Sequence, residues 1–67
     1  MNEEYERLLS ELTRRGFRFE FKPDSTTASR VTSAGGNALD DPTPVELGRL
    51  VQGISIVSII EARSKRK

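Results

Sequence analysis

The aliphatic residues of this chain are densest in Gly53-Ile54-Ser55-Ile56-Val57-Ser58-Ile59-Ile60, close to the C-terminus. Five of the seven positions from 54 to 60 are isoleucine or valine, and no other segment of the 67 residues is comparably apolar. A chain this short buries only about 60% of its unfolded surface, so its hydrophobic core must be built against this segment. The conformation of residues 54–61 therefore determines the architecture.

The sequence before this segment predicts the start of a helix. In Thr43-Pro44-Val45-Glu46, threonine is a favoured N-cap, proline suits the first helical position, and glutamate completes a capping box. Gly53 suits the residue just past a helix end, because glycine accepts positive φ without strain. We therefore predict a helix over 44–52. Because β-branched residues favour extended backbone, we predict a strand over 54–61.

The alternative is an αββα fold with one long C-terminal helix over residues 44–62. In that helix Val57 would extend the apolar stripe, while other isoleucines would project from the opposite side. A helix that is apolar all round must be covered on both faces, which requires oligomerisation in so small a domain. It would also contain two internal glycines, each costing about 1 kcal/mol relative to alanine. We therefore favour the strand.

An amphipathic helix is predicted over residues 2–15. Its apolar side chains recur with the spacing i, i+3, i+4 and i+7, which places them on one face. They are Tyr5, Leu8, Leu9 and Leu12. Acidic residues precede this stripe and arginines follow it, and both placements complement the helix dipole.

Two strands are predicted after the first helix. Residues 17–22 alternate phenylalanine with charged side chains, which is typical of a strand with one buried face. Residues 28–32 predict a weaker strand, because Val31 is its only large apolar residue. The order helix, strand, strand, helix, with Thr43-Pro44 opening the later helix, resembles small docking domains of peptide-synthetase assembly lines. This resemblance implies no role for any particular residue.

The predicted fold class is α+β, with residues 1–62 as a single small domain. Residues 63–67 carry four positive charges and are predicted to be a basic, flexible tail. A core of this size gives marginal stability, and self-association is a common way to increase it. A homo-oligomer is therefore expected, with a dimer as the first choice.

The composition excludes several kinds of catalytic and metal site. The chain has no histidine and no cysteine, so it cannot form a Ser-His or Cys-His triad, or an imidazole or thiolate metal site. Asp40 and Asp41 are adjacent carboxylates, but acidic residues before a proline are typical of a turn. We therefore predict no enzymatic activity, no cofactor and no metal.

No apolar run approaches the roughly 20 residues that a membrane span requires. The absence of cysteine fits a reducing compartment, so we expect a cytoplasmic protein that does not act on membranes.

The expected function is binding to another protein. We predict a small non-catalytic protein–protein interaction module, such as an adaptor, a regulator or an inhibitor. The apolar C-terminal segment is its predicted partner and self-association surface. The residues concerned are Ile54, Ile56, Val57, Ile59 and Ile60.

The alternative function is binding to nucleic acid as an accessory or regulatory protein. Basic side chains in the C-terminal tail and around the end of the first helix would contact phosphates, and such binding weakens with salt. The residues concerned are Arg14, Arg15, Arg18, Arg63, Lys65, Arg66 and Lys67.

Overall fold

A computed structural model describes residues 3–65 and confirms the α+β fold class. These residues form three helices and one antiparallel sheet of three strands. In chain order the elements are α1 (Glu3–Arg14), β1 (Arg18–Phe21), β2 (Ala28–Thr32), β3 (Ala38–Asp40), α2 (Pro44–Val51) and α3 (Ile56–Ser64). No helix within residues 3–65 has the length and hydropathy needed to cross a membrane.

The predicted strand over residues 54–61 is wrong, because most of this segment belongs to α3. Ser55 is the N-cap of α3, and its side chain accepts a hydrogen bond from the Ser58 N–H at 3.1 Å. Ile56 and Ile59 are then three residues apart on one face and are only 3% and 2% exposed. Helical spacing lets both side chains enter the core, and this packing outweighs the β-branched preference for a strand.

The long helix over residues 44–62 is not formed either, because the chain turns at Gly53. This glycine has φ of +100°, and its N–H donates to the Leu50 carbonyl at 3.0 Å. The next N–H, from Ile54, donates to the Arg49 carbonyl, also at 3.0 Å. These two bonds form a Schellman motif, which satisfies carbonyls at the end of α2. A Cβ atom at Gly53 would meet nothing within 4 Å, so only the backbone conformation requires glycine there.

The sheet contains a third strand that the sequence analysis did not predict. β3 pairs antiparallel with β2, and Val31 lies opposite Leu39. β2, predicted as the weak strand, is therefore the central strand, and β1 and β3 are the edges. β3 has three residues with a single buried side chain, Leu39, so it is too short for an alternating pattern to be recognised.

The hydrophobic core takes side chains from all three helices and two of the strands. Seven buried residues form it, each 3% exposed or less. They are Leu12, Val31, Leu39, Leu47, Leu50, Ile56 and Ile59. Side chains of α1 and the first two phenylalanines pack around this cluster while remaining partly exposed.

Strand β2 contains a β-bulge that α1 supports. The pairing with β1 shifts register between Glu20 and Phe21, so Ser29 has no partner in β1. The N–H of the preceding residue, Ala28, donates to the Tyr5 hydroxyl at 2.9 Å. A side chain of α1 thus satisfies a backbone donor that lies next to the bulge.

Candidate functional site

An open groove of about 780 Å³ lies between α1 and the edge strand β1. Leu9 and Thr13 of α1 line one side. The phenylalanines of the predicted alternating segment line the other side, but they are not equally buried. Phe17 and Phe19 pack partly buried against the core, whereas Phe21 is 50% exposed. The rings of Phe19 and Phe21 lie 6.3 Å apart, so they form a continuous apolar surface.

The groove lies along β1, which has one open edge. Strand β1 pairs only with β2, and no other strand within residues 3–65 borders it. Arg18, Phe19 and Phe21 of β1 all line the groove, so the groove runs along a strand that has one unpaired edge. Such an edge presents backbone N–H and C=O groups that another chain can pair with.

The charge at the groove is positive. Arg14 pairs with Glu11 at 3.2 Å, but the Arg14 side chain is 77% exposed and such a surface pair contributes little to stability. Arg18 forms no salt bridge with any residue in the range 3–65. Both guanidinium groups therefore remain accessible to an anionic partner.

The predicted self-association residues separate into two groups. Ile56 and Ile59 face inward and belong to the core of their own chain. Ile54, Val57 and Ile60 remain 39%, 45% and 41% exposed. Only this second group can contact another molecule while the chain keeps its fold.

The predicted nucleic-acid residues do not act as one group. Arg14 and Arg18 line the groove, whereas Arg15 donates to the Val51 carbonyl at 2.6 Å and so ties α1 to the end of α2. Arg63 binds Glu46, as described below, and Lys65 is the exposed C-cap of α3. Two further predicted residues, Arg66 and Lys67, lie outside the described residues.

Arg63 was predicted to belong to the basic C-terminal tail, but it makes a set of contacts within the fold. It lies within α3, not in a flexible tail, and it makes two hydrogen bonds to the Glu46 carboxylate at 2.8 and 2.6 Å. It also donates to the backbone carbonyls of Asp40 and Asp41, at 2.9 and 3.1 Å. Arg63 therefore holds α3 against α2 and the turn after β3. Its spacing of four residues from Ile59 is the signal that places it on the buried face of α3.

Glu46 has a second role at the start of α2. Its carboxylate accepts from the Thr43 N–H at 3.0 Å, and the Thr43 hydroxyl accepts from the Glu46 N–H at 3.1 Å, which completes the predicted capping box. The hydrogen bonds from Arg63 lower the pKa of Glu46 below its ordinary value, although partial burial opposes this shift. The charged carboxylate is the form that the fold requires.

Replacing Arg63 with methionine is expected to lower the free energy of unfolding by about 1–2 kcal/mol at pH 7, because charge-assisted bonds at a partly exposed site are lost. The pKa of Glu46 is lower in the folded chain than in the unfolded chain, so the stabilisation by its ionised carboxylate is complete above the unfolded-state pKa. This stabilisation is lost as the pH falls through the folded-state pKa. The difference between the two proteins should therefore shrink below about pH 4.5. Urea denaturation of both proteins at neutral and acidic pH measures this difference in the free energy of unfolding.

The matched control is Lys65→Met, which removes the same charge from the exposed C-cap of the same helix. It should change stability little at either pH. A deficit of the Arg63→Met protein that stays constant down to pH 3, below the ordinary glutamate pKa of 4.5, would contradict the role of the Glu46 carboxylate.

Comparison of the chain with protein-family models, with curated proteins and with solved structures gave no match. Within residues 3–65, no three acidic side chains are grouped so that they could hold a metal ion. The groove beside β1 and the exposed aliphatic residues of the C-terminal segment are therefore the candidate sites.

Proposed function

We propose that the chain is a small non-catalytic protein-interaction module, an adaptor, regulator or inhibitor, that binds an extended segment of a partner protein in the groove between α1 and β1. The main support for the proposal is the open edge of β1, which lies beside an apolar groove. A bound segment would pair its backbone with the free edge and place alternate side chains in the groove, which is the general mode of β-strand addition.

The exposure of Phe21 supports this placement. A half-exposed aromatic ring contributes less to the core than a buried one, and this chain has only four aromatic residues. Phe21 continues the surface formed by Phe19, so a partner side chain lying across the groove would contact both rings. Burial of the exposed part of Phe21 would then favour binding.

The charge of the groove determines the partner chemistry. Arg14 and Arg18 are both accessible, and Arg18 has no acidic partner within residues 3–65. We expect the bound segment to carry aspartate or glutamate beside alternating apolar residues, because charge complementarity favours both association rate and register.

Selection of binding peptides from a phage-displayed random library tests this proposal. We expect the selected peptides to combine alternating apolar residues with acidic residues, and to bind the wild-type chain in a fluorescence polarisation assay. Phe21→Lys should weaken binding by about 10-fold or more, because losing the apolar contact area of the ring outweighs the attraction of one exposed lysine for an acidic peptide. Arg18→Glu should weaken it similarly through like-charge repulsion.

Val45→Lys is the matched control, because Val45 is also an exposed apolar residue, at 65%, but it does not line this groove. It should leave peptide binding unchanged. Selected peptides that bind the Phe21→Lys and wild-type chains equally would contradict the proposed site. Selection of purely basic or uncharged peptides would contradict the proposed partner chemistry.

Self-association is the second part of the proposed function. Ile54, Val57 and Ile60 follow one another at three-residue spacing and leave aliphatic surface in water. Covering this surface with a second copy would add hydrophobic stabilisation to a small core. Sedimentation equilibrium at micromolar concentration should detect a dimer, and a strict monomer would contradict this part. In keeping with the composition, we expect the module to act in the cytoplasm.

A further inference from the structure

We propose that two copies of this chain associate by exchanging α3, so that α3 of each copy packs against β3 and α2 of the other. This inference rests on the self-association part of the proposed function and adds the way in which the dimer forms. The occupant of the surface is thus a second copy of the same chain.

The attachment of α3 favours exchange. α3 is joined to α2 by a short connection around Gly53, Ile54 and Ser55. It contributes two side chains to the core and is held at its other end by the bonds that Arg63 makes to Glu46 and two carbonyls. A second copy presents the same acceptor surface, so exchange preserves every one of these contacts and only the connection changes conformation.

The connection can become helical with few changes. Ile54 lies between two residues with non-helical backbone, Gly53 with its positive φ and the N-cap Ser55 with φ of −79° and ψ of 158°. If these residues adopted helical angles, α2 and α3 would join into one continuous helix. Domain swapping is a known hazard of short hinge connections between packed elements.

A continuous helix would also place two of the exposed aliphatic residues on the apolar stripe of α2. Ile54 and Val57 would lie at positions i+4 and i+7 from Leu50, on the stripe that α2 buries in the core. In a two-fold dimer the two connections would pass each other. Ile54 and Val57 would lie at this crossing, outside the core of either copy. Each copy would then cover the Ile54 and Val57 side chains of the other, which are 39% and 45% exposed in the closed chain.

Two charge-reversed chains provide the test. The Glu46→Arg chain and the Arg63→Glu chain each place like charges at the contact between α3 and α2, so each alone should lose dimer and stability. When they are mixed, α3 exchange brings opposite charges together at both contacts of a heterodimer. We expect native mass spectrometry, which separates the two chains by mass, to show mainly the heterodimer.

In a dimer formed by face-to-face contact without exchange, the like charges remain within one chain. Mixing the two variants would then restore neither the dimer nor the stability. If the wild-type chain dimerises and the mixed variants do not recover, exchange is wrong while self-association stands. If the wild-type chain is a strict monomer at micromolar concentration, both the exchange and the self-association are wrong. Recovery of a heterodimer on mixing supports both.

Gly53→Ala provides an independent test that does not depend on the charged contact. A Cβ atom there meets nothing within 4 Å, so the substitution acts only through the positive φ of the closed form. Alanine disfavours that φ and favours a helix at both connections of the dimer, so we expect the dimerisation constant to rise by about 1,000-fold.

Gly36→Ala is the matched control. Gly36 has φ of +97° and also has open space at its Cβ position, but it lies in the turn between β2 and β3. It should lower stability without increasing dimerisation. An equal effect of the two substitutions on the dimerisation constant, or none from Gly53→Ala, would overturn the exchange.

Discussion

Replacing Leu47 with alanine is expected to lower the free energy of unfolding by about 3 kcal/mol. Leu47 is fully buried in the core and lies in the middle of α2, so the surrounding structure is expected to relax only partially into the space. Removing its branched end loses the transfer free energy of the buried carbons and leaves a cavity. A domain of this size has a total unfolding free energy of about 3–10 kcal/mol, so the loss is a large part of it.

Urea denaturation followed by circular dichroism measures this effect. The matched control is Val45→Ala on the same helix, because Val45 is 65% exposed and its removal creates no cavity. The control should change stability by about 0.5 kcal/mol at most. Similar midpoints for the two variants would show that Leu47 is not in the core.

Replacing Tyr5 with phenylalanine is expected to lower the free energy of unfolding by about 2 kcal/mol, although only one oxygen atom is removed. The Tyr5 hydroxyl accepts the N–H of Ala28 at 2.9 Å, and Ala28 is only 1% exposed. Phenylalanine keeps the ring but leaves this buried donor without an acceptor. The bulge at Ser29 prevents regular pairing from replacing the lost bond.

Ser10→Ala is the control for Tyr5→Phe, because it removes a hydroxyl from the exposed side of the same helix. It should have almost no effect on stability. Amide hydrogen exchange gives a second measurement, since the Ala28 amide should lose protection in the Tyr5→Phe protein more than other amides of β2. Unchanged protection at Ala28 would contradict the proposed role of the Tyr5 hydroxyl.

The elements that could be predicted from the sequence are those whose signals are local and agree with one another. The helix over 2–15 has a clear helical period and is present over Glu3–Arg14, and the capping box at Thr43 marks the start of α2 at Pro44. The strand over 17–22 has an alternating pattern and is present over Arg18–Phe21. In these segments local preference and tertiary packing favour the same structure.

Residues 54–61 were predicted wrongly because their signals conflict. The isoleucine content favours a strand, whereas Ser55 as an N-cap and the spacing of Ile56, Ile59 and Arg63 favour a helix. Which signal prevails depends on where β3 and α2 place the core, and this information lies far away in the chain. The same limit applies to Arg63, whose acceptors are 17 and more residues distant.

The groove could be predicted only in part. The alternation of phenylalanine and charge indicates which side chains share a face of β1, but it does not indicate that β1 lies at a sheet edge. That position follows from β2 pairing with both β1 and β3, and β3 was not recognisable. Phe21 was therefore expected to be buried with Phe17 and Phe19, and it is instead half exposed.

The two bonds that Glu46 makes have a consequence for cooperativity. The same carboxylate caps the first turn of α2 through Thr43 and holds Arg63 of α3. If the first turn of α2 frays, the carboxylate moves and α3 loses its anchor; if α3 leaves, the carboxylate loses its counter-charge. Fraying of α2 and departure of α3 are therefore expected to be one opening event, because one carboxylate stabilises both helices.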